Sequence, residues 1–359
     1  MGVEVDFLPV DAGEKSGDAI ALRYGNLYGP RNEQVVVVID GGFQKNGEEL
    51  VKHIKKYYKT DRVDLVISSH PDSDHVSGLR VVLEQLDVGA LWMHRPWKHT
   101  SGIADMFEDG RVTDSSVRKK LEESLNQAIN LEELARQKGI PITEPFQGLS
   151  DDDGNLKVLG PSEEFYESLL PLFQATPEPK EEGFIAKAIA GAKDFIKKVA
   201  ERWDFETLDD EGETAAENNS SVILLLSYDG RNLLFTSDAG MPALEHAADY
   251  LDMAEFDCSD LTFIQVPHHG SQRNVGPTIL NRILGPKRSK DVRERTAFVS
   301  ASKEGEPKHP SKKVINAFRR RGCPVHATQG HKKWHNHDAP DRSDFSTSTP
   351  LPFYDEVEE

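Results

Sequence analysis

Apolar and polar residues alternate from the start of the chain. Val3, Val5 and Phe7 are interleaved with Glu4 and Asp6, the period of a half-buried strand. A glycine-containing turn over 11–18 leads to a second apolar run, Ala19 to Tyr24. Val35 to Ile39 is then a continuous β-branched stretch that stops at Asp40-Gly41-Gly42, where the backbone needs permissive angles. Residues 47–60 carry helical spacing. Val63 to Ser69 reads as another buried strand, and it runs directly into His70. A charged helical pattern covers 115–138, and Leu156 to Gly160 is a short strand closed by Gly-Pro.

The second half repeats this grammar. Thr176-Pro177-Glu178-Pro179 is a linker. Phe184, Ile185, Ala188, Ile189, Phe195, Ile196 and Val199 then fall at largely helical spacing, which predicts an amphipathic helix laid over the core. The alternative is a lid or docking element over an active site. Val222 to Tyr228 and Leu233 to Phe235 form a hairpin about Asp229-Gly230. A helix over 242–255 precedes the strand Leu261 to Val266, which ends at Pro267-His268-His269-Gly270. Ala297 to Ser300 is a last buried strand, a helix starts at Ser311, and Pro324 to Ala327 is a short edge strand. The expected organisation is one α/β domain over 1–330, with helical insertions at about 100–140 and 175–217. The polar residues 331–359 read as a loose C-terminal tail.

Composition narrows the class. With 359 residues, 37% of them hydrophobic, the chain can bury a full core. It lacks the ~18 consecutive apolar residues of a membrane span, and it opens straight into a strand pattern rather than a basic-then-apolar leader. Cys258 and Cys323 belong to no Cys-x-x-Cys motif and read as free packing residues of a reducing compartment. A cytoplasmic protein that does not engage membranes is the expectation. The net charge of −18 argues against adhesion to nucleic acid through the overall field. Lys and Arg nonetheless gather after residue 285, as solvated helix faces or as a local basic groove.

Chemistry concentrates in Ser69-His70-Pro71-Asp72-Ser73-Asp74-His75-Val76-Ser77-Gly78. Two histidines bracket two aspartates directly after an apolar strand, a clustering with no packing purpose. Imidazole and carboxylate together suit zinc, manganese or iron. There is no Walker sequence, no Gly-x-Ser-x-Gly elbow and no His-Glu-x-x-His.

This segment resembles the His-x-His-x-Asp-His signature of the metallo-β-lactamase superfamily, with Asp72 in place of the second histidine. That form is similar to the hydrolase domain of the ComEC/Rec2 DNA-uptake proteins and their soluble relatives. Asp11-Ala12-Gly13 through Gly17-Asp18-Ala19-Ile20, Asn218-Asn219-Ser220-Ser221-Val222, Leu233 to Asp238, Val266-Pro267-His268-His269-Gly270-Ser271 and Lys308-His309-Pro310-Ser311 resemble further motifs of that group in order and spacing. The resemblance implies a four-layer αββα sandwich and two divalent metal ions, zinc or manganese, with magnesium an option. By position, His70 and Asp72 would hold one metal, Asp74, His75 and His269 the other, and Asp238 would bridge them. His268 is the weaker ligand of its pair. The usual histidine before the Asp238 strand is absent, and Asn219 or Asn218 stands near its place, which would make the first site harder than a His-rich zinc site.

The same resemblance gives Asp74 the task of orienting a metal-activated water. His309 would protonate a leaving oxygen or contact a phosphate, unless it is simply a helix-start histidine. Ser271 and Lys303 are lesser phosphate-contact candidates. His94 and His99, with Trp92 and Trp97 nearby, line the pocket or pack structurally. The implied function is a metal-dependent phosphodiesterase or nuclease acting on DNA or RNA, compatible with an effector role in a bacterial defence system and with a protein partner docked on 175–217. Two alternatives stand: hydrolysis of a small ester, lactone or cyclic nucleotide, and partner binding on a degenerate metal site.

Overall fold

In the computed structural model the described residues are 1–359 except 12, 14, 178, 180–197, 306–308 and 359. The N-terminal alternation forms β1 (Gly2–Phe7), antiparallel to β2 (Ala19–Gly25), which pairs with β3 (Gln34–Gly41). α1 (Gln44–His53) runs through a π-helical turn over Ile54–Tyr58 and returns the chain to β4 (Arg62–Ser68), parallel to β3. α2 (Ser73–Val76) and α3 (Leu79–Gln85) lead to β5 (Asp87–Met93). α4 (Asp114–Ser124) and α5 (Asn126–Gln137) fill the predicted helical stretch, followed by β6 (Ile142–Thr143), β7 (Leu156–Gly160) and α6 (Glu163–Leu169).

The remainder comprises β8 (Lys198–Ala200), α7 (Ala216–Asn219), β9 (Ile223–Tyr228), β10 (Arg231–Phe235), α8 (Met241–Met253), β11 (Leu261–Gln265) and α9 (Pro277–Leu284). β12 (Thr296–Val299), α10 (Lys312–Arg320), β13 (Val325–Ala327), β14 (Lys333–His337) and β15 (Glu356–Glu358) complete it. The helix predicted over 184–199 lies almost wholly outside the described residues.

Two sheets face each other, ordered β14-β1-β2-β3-β4-β5-β6 and β13-β12-β11-β10-β9-β7. The two-residue period of a strand divides its side chains between two layers. Val37 and Ile39 point inward with Phe7, Ile20 and Leu22 to meet Leu224, Phe235, Phe263 and Phe298 of the second sheet. Phe7 and Phe298 meet edge to face at 5.5 Å. Val36 and Val38 point outward and pack with Leu50, Ile54, Leu79 and Leu83 of the flanking helices. Leu225, Leu234, Ile264 and Val299 do the same for Leu244, Ile283 and Phe318. This is the αββα sandwich expected from the sequence.

Residues 331–359 depart from their reading as a loose tail. β14 pairs antiparallel with the outer edge of β1, Val3 opposite His337, and β15 pairs with β8. Glu4 and Asp6, the polar positions of β1, are fully buried, so their charges need partners from elsewhere. Arg342 supplies them, reaching Asp6 at 2.6 Å and Glu4 at 2.7 Å, with its guanidinium stacked over Trp334. The segment is polar because it covers and neutralises a sheet edge, a role that composition does not distinguish from disorder.

Arg23 remains with Glu4, and His53 with Asp6, when Arg342 is removed. Arg342→Ala is therefore expected to cost about 3 kcal/mol, the low end for breaking a buried pair. Urea unfolding measures this, and an unchanged midpoint would contradict it.

Candidate metal centre

The β4 strand and the ends of β10 and β11 open on one edge of the sandwich. Val222 N donates to Ser69 O across the two sheets, and the Ser69 and Ser237 hydroxyls meet at 2.5 Å. Four histidine rings converge there on one carboxylate oxygen. The Nε2 atoms of His75, His268, His269 and His70 lie 3.4, 3.5, 3.8 and 3.9 Å from Asp238 Oδ2. His70 Nε2 also lies 3.7 Å from Asp72 Oδ2.

The opposite nitrogen of each ring is held from behind. His75 Nδ1 donates to Asp40 Oδ2 at 2.8 Å, and His269 Nδ1 donates to the Ser300 carbonyl at 3.0 Å. The Ser69 hydroxyl donates to Asp40 at 2.6 Å, so its oxygen is left to accept from His70 Nδ1 at 3.0 Å. Asn274 Nδ2 donates to the carbonyls of Asp238 and Ala239, which turns its Oδ1 to accept from His268 Nδ1 at 2.9 Å. Each ring, when neutral, therefore offers an Nε2 lone pair to the centre, the tautomer that a metal ligand needs.

Lone pairs aimed at a carboxylate repel unless positive charge lies between them. Among the buried side-chain atoms without a hydrogen-bond partner are Nε2 of His70, His75 and His269, and Oδ1 of Asp18 and Asp238. Protons favour two of the rings: burial opposes them, but Asp72 and Asp238 raise the His70 pKa, and Asp238 and Asp40 raise that of His75 well above the ordinary value. Burial pushes His269 down to about 3, so that ring stays neutral. Burial also disfavours the Asp238 anion, yet His268, His75 and His269 hold its pKa well below the usual range. One persistent anion, four imidazoles and further carboxylates form a donor set that fits divalent cations.

Most residues singled out in the sequence meet here. Asp74, His75 and His269 offer ligand atoms within 4.8 Å of one another, as do Asp40, His70 and His75. Asp72 sits at the rim, its side chain 40% exposed. The His309 ring stacks on His268 with centroids 6.2 Å apart. Ser271 is buried, its Oγ accepting from Arg273 N, and Lys303 is exposed with its backbone N donating to Asp11 Oδ1. Asn219 is turned away, its Nδ2 on the Thr214 carbonyl and its Oδ1 against Gly240. The neighbouring Asn218 is the amide that reaches the cluster, at 3.1 Å from His268 Nδ1. His94 and His99 pack with Phe146 and Tyr166.

Sequence reading passed over Asp40 and Asp18 as turn residues. Both follow the same signal, an acidic residue beside glycine at the end or start of an apolar strand, and both are buried beside the histidines.

Asp40 supports His75 directly and His70 through Ser69. Asp40→Ala should weaken manganese or zinc binding by roughly 10–100-fold, as loss of such supporting groups does. Calorimetric titration checks this, and unchanged affinity would refute the supporting role.

Residues 25–286 match the family model described as Metallo-beta-lactamase superfamily. ComE operon protein 3 of Bacillus subtilis (strain 168) is 30% identical over 111 residues, which are 31% of this chain and 12% of that protein's length. Two solved structures are similar at low identity. One is Tm1679, a metal-dependent hydrolase of the beta-lactamase superfamily, at 14% identity, TM-score 0.43, covering 94% of this chain and 100% of that one. The other is a diphosphatase from the PhnP family, at 8% identity, TM-score 0.38, covering 94% and 99%. No helix among the described residues is long and apolar enough to cross a membrane. With the family model spanning most of the chain and four imidazoles converging on Asp238, this protein belongs to the metallo-β-lactamase superfamily.

Proposed function

We propose that the chain is a metal-dependent phosphodiesterase of the ComEC/Rec2-like type, acting on DNA or RNA. The observation that carries this reading is the convergence of His70, His75, His268 and His269 on Asp238 with Asp72 and Asp74 alongside. A ligand set with this many carboxylates is harder than a histidine-rich zinc site and suits manganese or magnesium as well as zinc. The partial identity with ComE operon protein 3 points the same way.

His70 and Asp72 would hold one cation, Asp74, His75 and His269 the other, with Asp238 between them. When bound, the pair supplies Lewis-acid polarisation of the scissile phosphoryl group and activation of water. Asp74, half buried in the first turn of α2, orients the attacking water toward phosphorus and receives its proton. His309, stacked on His268 at the rim, delivers a proton to the leaving oxygen as the P–O bond breaks.

A second reading, hydrolysis of a small cyclic nucleotide or other compact phosphodiester, is favoured by one observation. Several of the basic residues after 285 are committed to partners within the protein. Arg320 pairs with Glu201 and Arg321 with Glu206, all buried or nearly so, while Lys287 also binds Glu206 and Arg295 caps backbone carbonyls. They leave less cationic surface for a polymer than the sequence implies.

Plasmid, single-stranded DNA, RNA and a generic phosphodiester reporter, offered with manganese, magnesium or zinc, separate these readings. Metal-dependent cleavage of a polymer is expected, falling at least ~100-fold in Asp74→Ala and weakening as salt rises. Cleavage of the reporter alone would select the compact substrate. Inertness toward every phosphodiester with metal bound would overturn the proposal.

A further inference from the structure

Asp18 lies in the loop between β1 and β2, far in sequence from the motif at 70–75. The loop is nevertheless pressed onto it: a Cβ on Gly17 would fall 2.2 Å from the Asp74 carbonyl oxygen. Glycine at 17 is what lets this backbone reach the start of α2. The next side chain, Asp18, is 1% exposed and enters the centre.

Its two oxygens have different surroundings. Gln265 Oε1 accepts from the backbone N–H groups of Thr236 and Ser237 at 3.1 and 3.0 Å. That fixes the orientation of the amide, so Gln265 Nε2 must point outward, and it donates to Asp18 Oδ2 at 2.8 Å. Asp18 Oδ1 has no hydrogen-bond partner. The Ser300 hydroxyl approaches Asp18 without completing a hydrogen bond, since Ser300 Oγ is itself unpartnered. Asp18, Asp238 and His269 each bring a ligand atom within 4.8 Å of the others. Asp238 Oδ1 and His269 Nε2 are likewise buried without a donor. Three unsatisfied acceptor groups gathered in a buried space are costly, and a cation satisfies them together.

We propose that Asp18 is a further ligand of the second metal position, binding through Oδ1 beside Asp74, His75, His269 and Asp238. This rests on the metal-centre reading above and extends it. The position then has three carboxylates and two imidazoles, an oxygen-rich set suited to five or six ligands rather than the four of tetrahedral zinc. Gln265 acts as a positioning residue that aims the carboxylate by holding its other oxygen.

Asp18→Asn retains the shape and can still accept from Gln265, so it tests the anionic ligand rather than the packing. With cobalt(II) as the probe, wild type is expected to show the weak visible absorption of a high-coordinate ion. The variant should show a several-fold more intense band as the coordination number falls. Calorimetry should show the second manganese binding at least ~100-fold more weakly, beyond what loss of a merely supporting group produces. Identical cobalt spectra and manganese affinities in both proteins would overturn the Asp18 assignment and leave the rest of the centre standing. Wild type that binds neither metal would overturn both.

If the variant does not melt cooperatively, crystals of manganese-loaded wild type decide. Asp18 Oδ1 within about 2–2.5 Å of the ion supports the assignment, and a separation well beyond bonding distance removes it.

Discussion

The structure turns on one buried carboxylate. Asp238 is 3% exposed, and four imidazole nitrogens are packed within 3.9 Å of its Oδ2. Apolar burial does not explain such a cluster, because each polar atom taken from water without a partner is costly. It persists because the sandwich around it is over-determined. Three hydrophobic layers fix the strand ends, and a set of hydrogen bonds fixes each ring from behind. Asp40 is central to that set, since it fixes His75 and, through Ser69, His70.

Backbone strain is also present at the same place. Asp40, Ser237, His268 and His269 all have positive φ, between 44° and 56°, a region that non-glycine residues seldom occupy. Two of them, Asp40 and Ser237, lie at the ends of β3 and β10, strands that arrive at the centre, and His268-His269 is the loop after β11. Strain of this kind is tolerated where surrounding structure enforces it, and it aims side chains that a relaxed backbone would point elsewhere. Here it brings two adjacent residues, His268 and His269, to the same carboxylate. Consecutive side chains on a strand would diverge.

Much of this was legible in the sequence. The run from His70 to His75 stands out because charged and imidazole side chains follow a buried strand, and periodicity located β1 to β4 and β9 to β13 closely. What escaped had physical reasons. β14 and β15 are polar strands whose partners are distant in sequence, so neither alternation nor burial marks them. Asp18 and Asp40 look like ordinary turn residues until the fold brings 18, 40, 75 and 269 together. Asn219 occupies the right place along the chain for a ligand, but the short α7 helix turns its amide to Thr214 and presents Asn218 instead. Clustered arginines after 285 suggested a surface, yet their partners, Glu201 and Glu206, come from the acidic stretch before β9.

The central claim is that this cluster exists to hold divalent cations. The most direct test is the number of manganese ions bound per chain at saturation, counted by titration of metal-stripped protein with elemental analysis of the product. The account predicts two, with protons released as His75 gives up its share of the charge to the metal. Stoichiometric binding of none, with the protein folded, would contradict it.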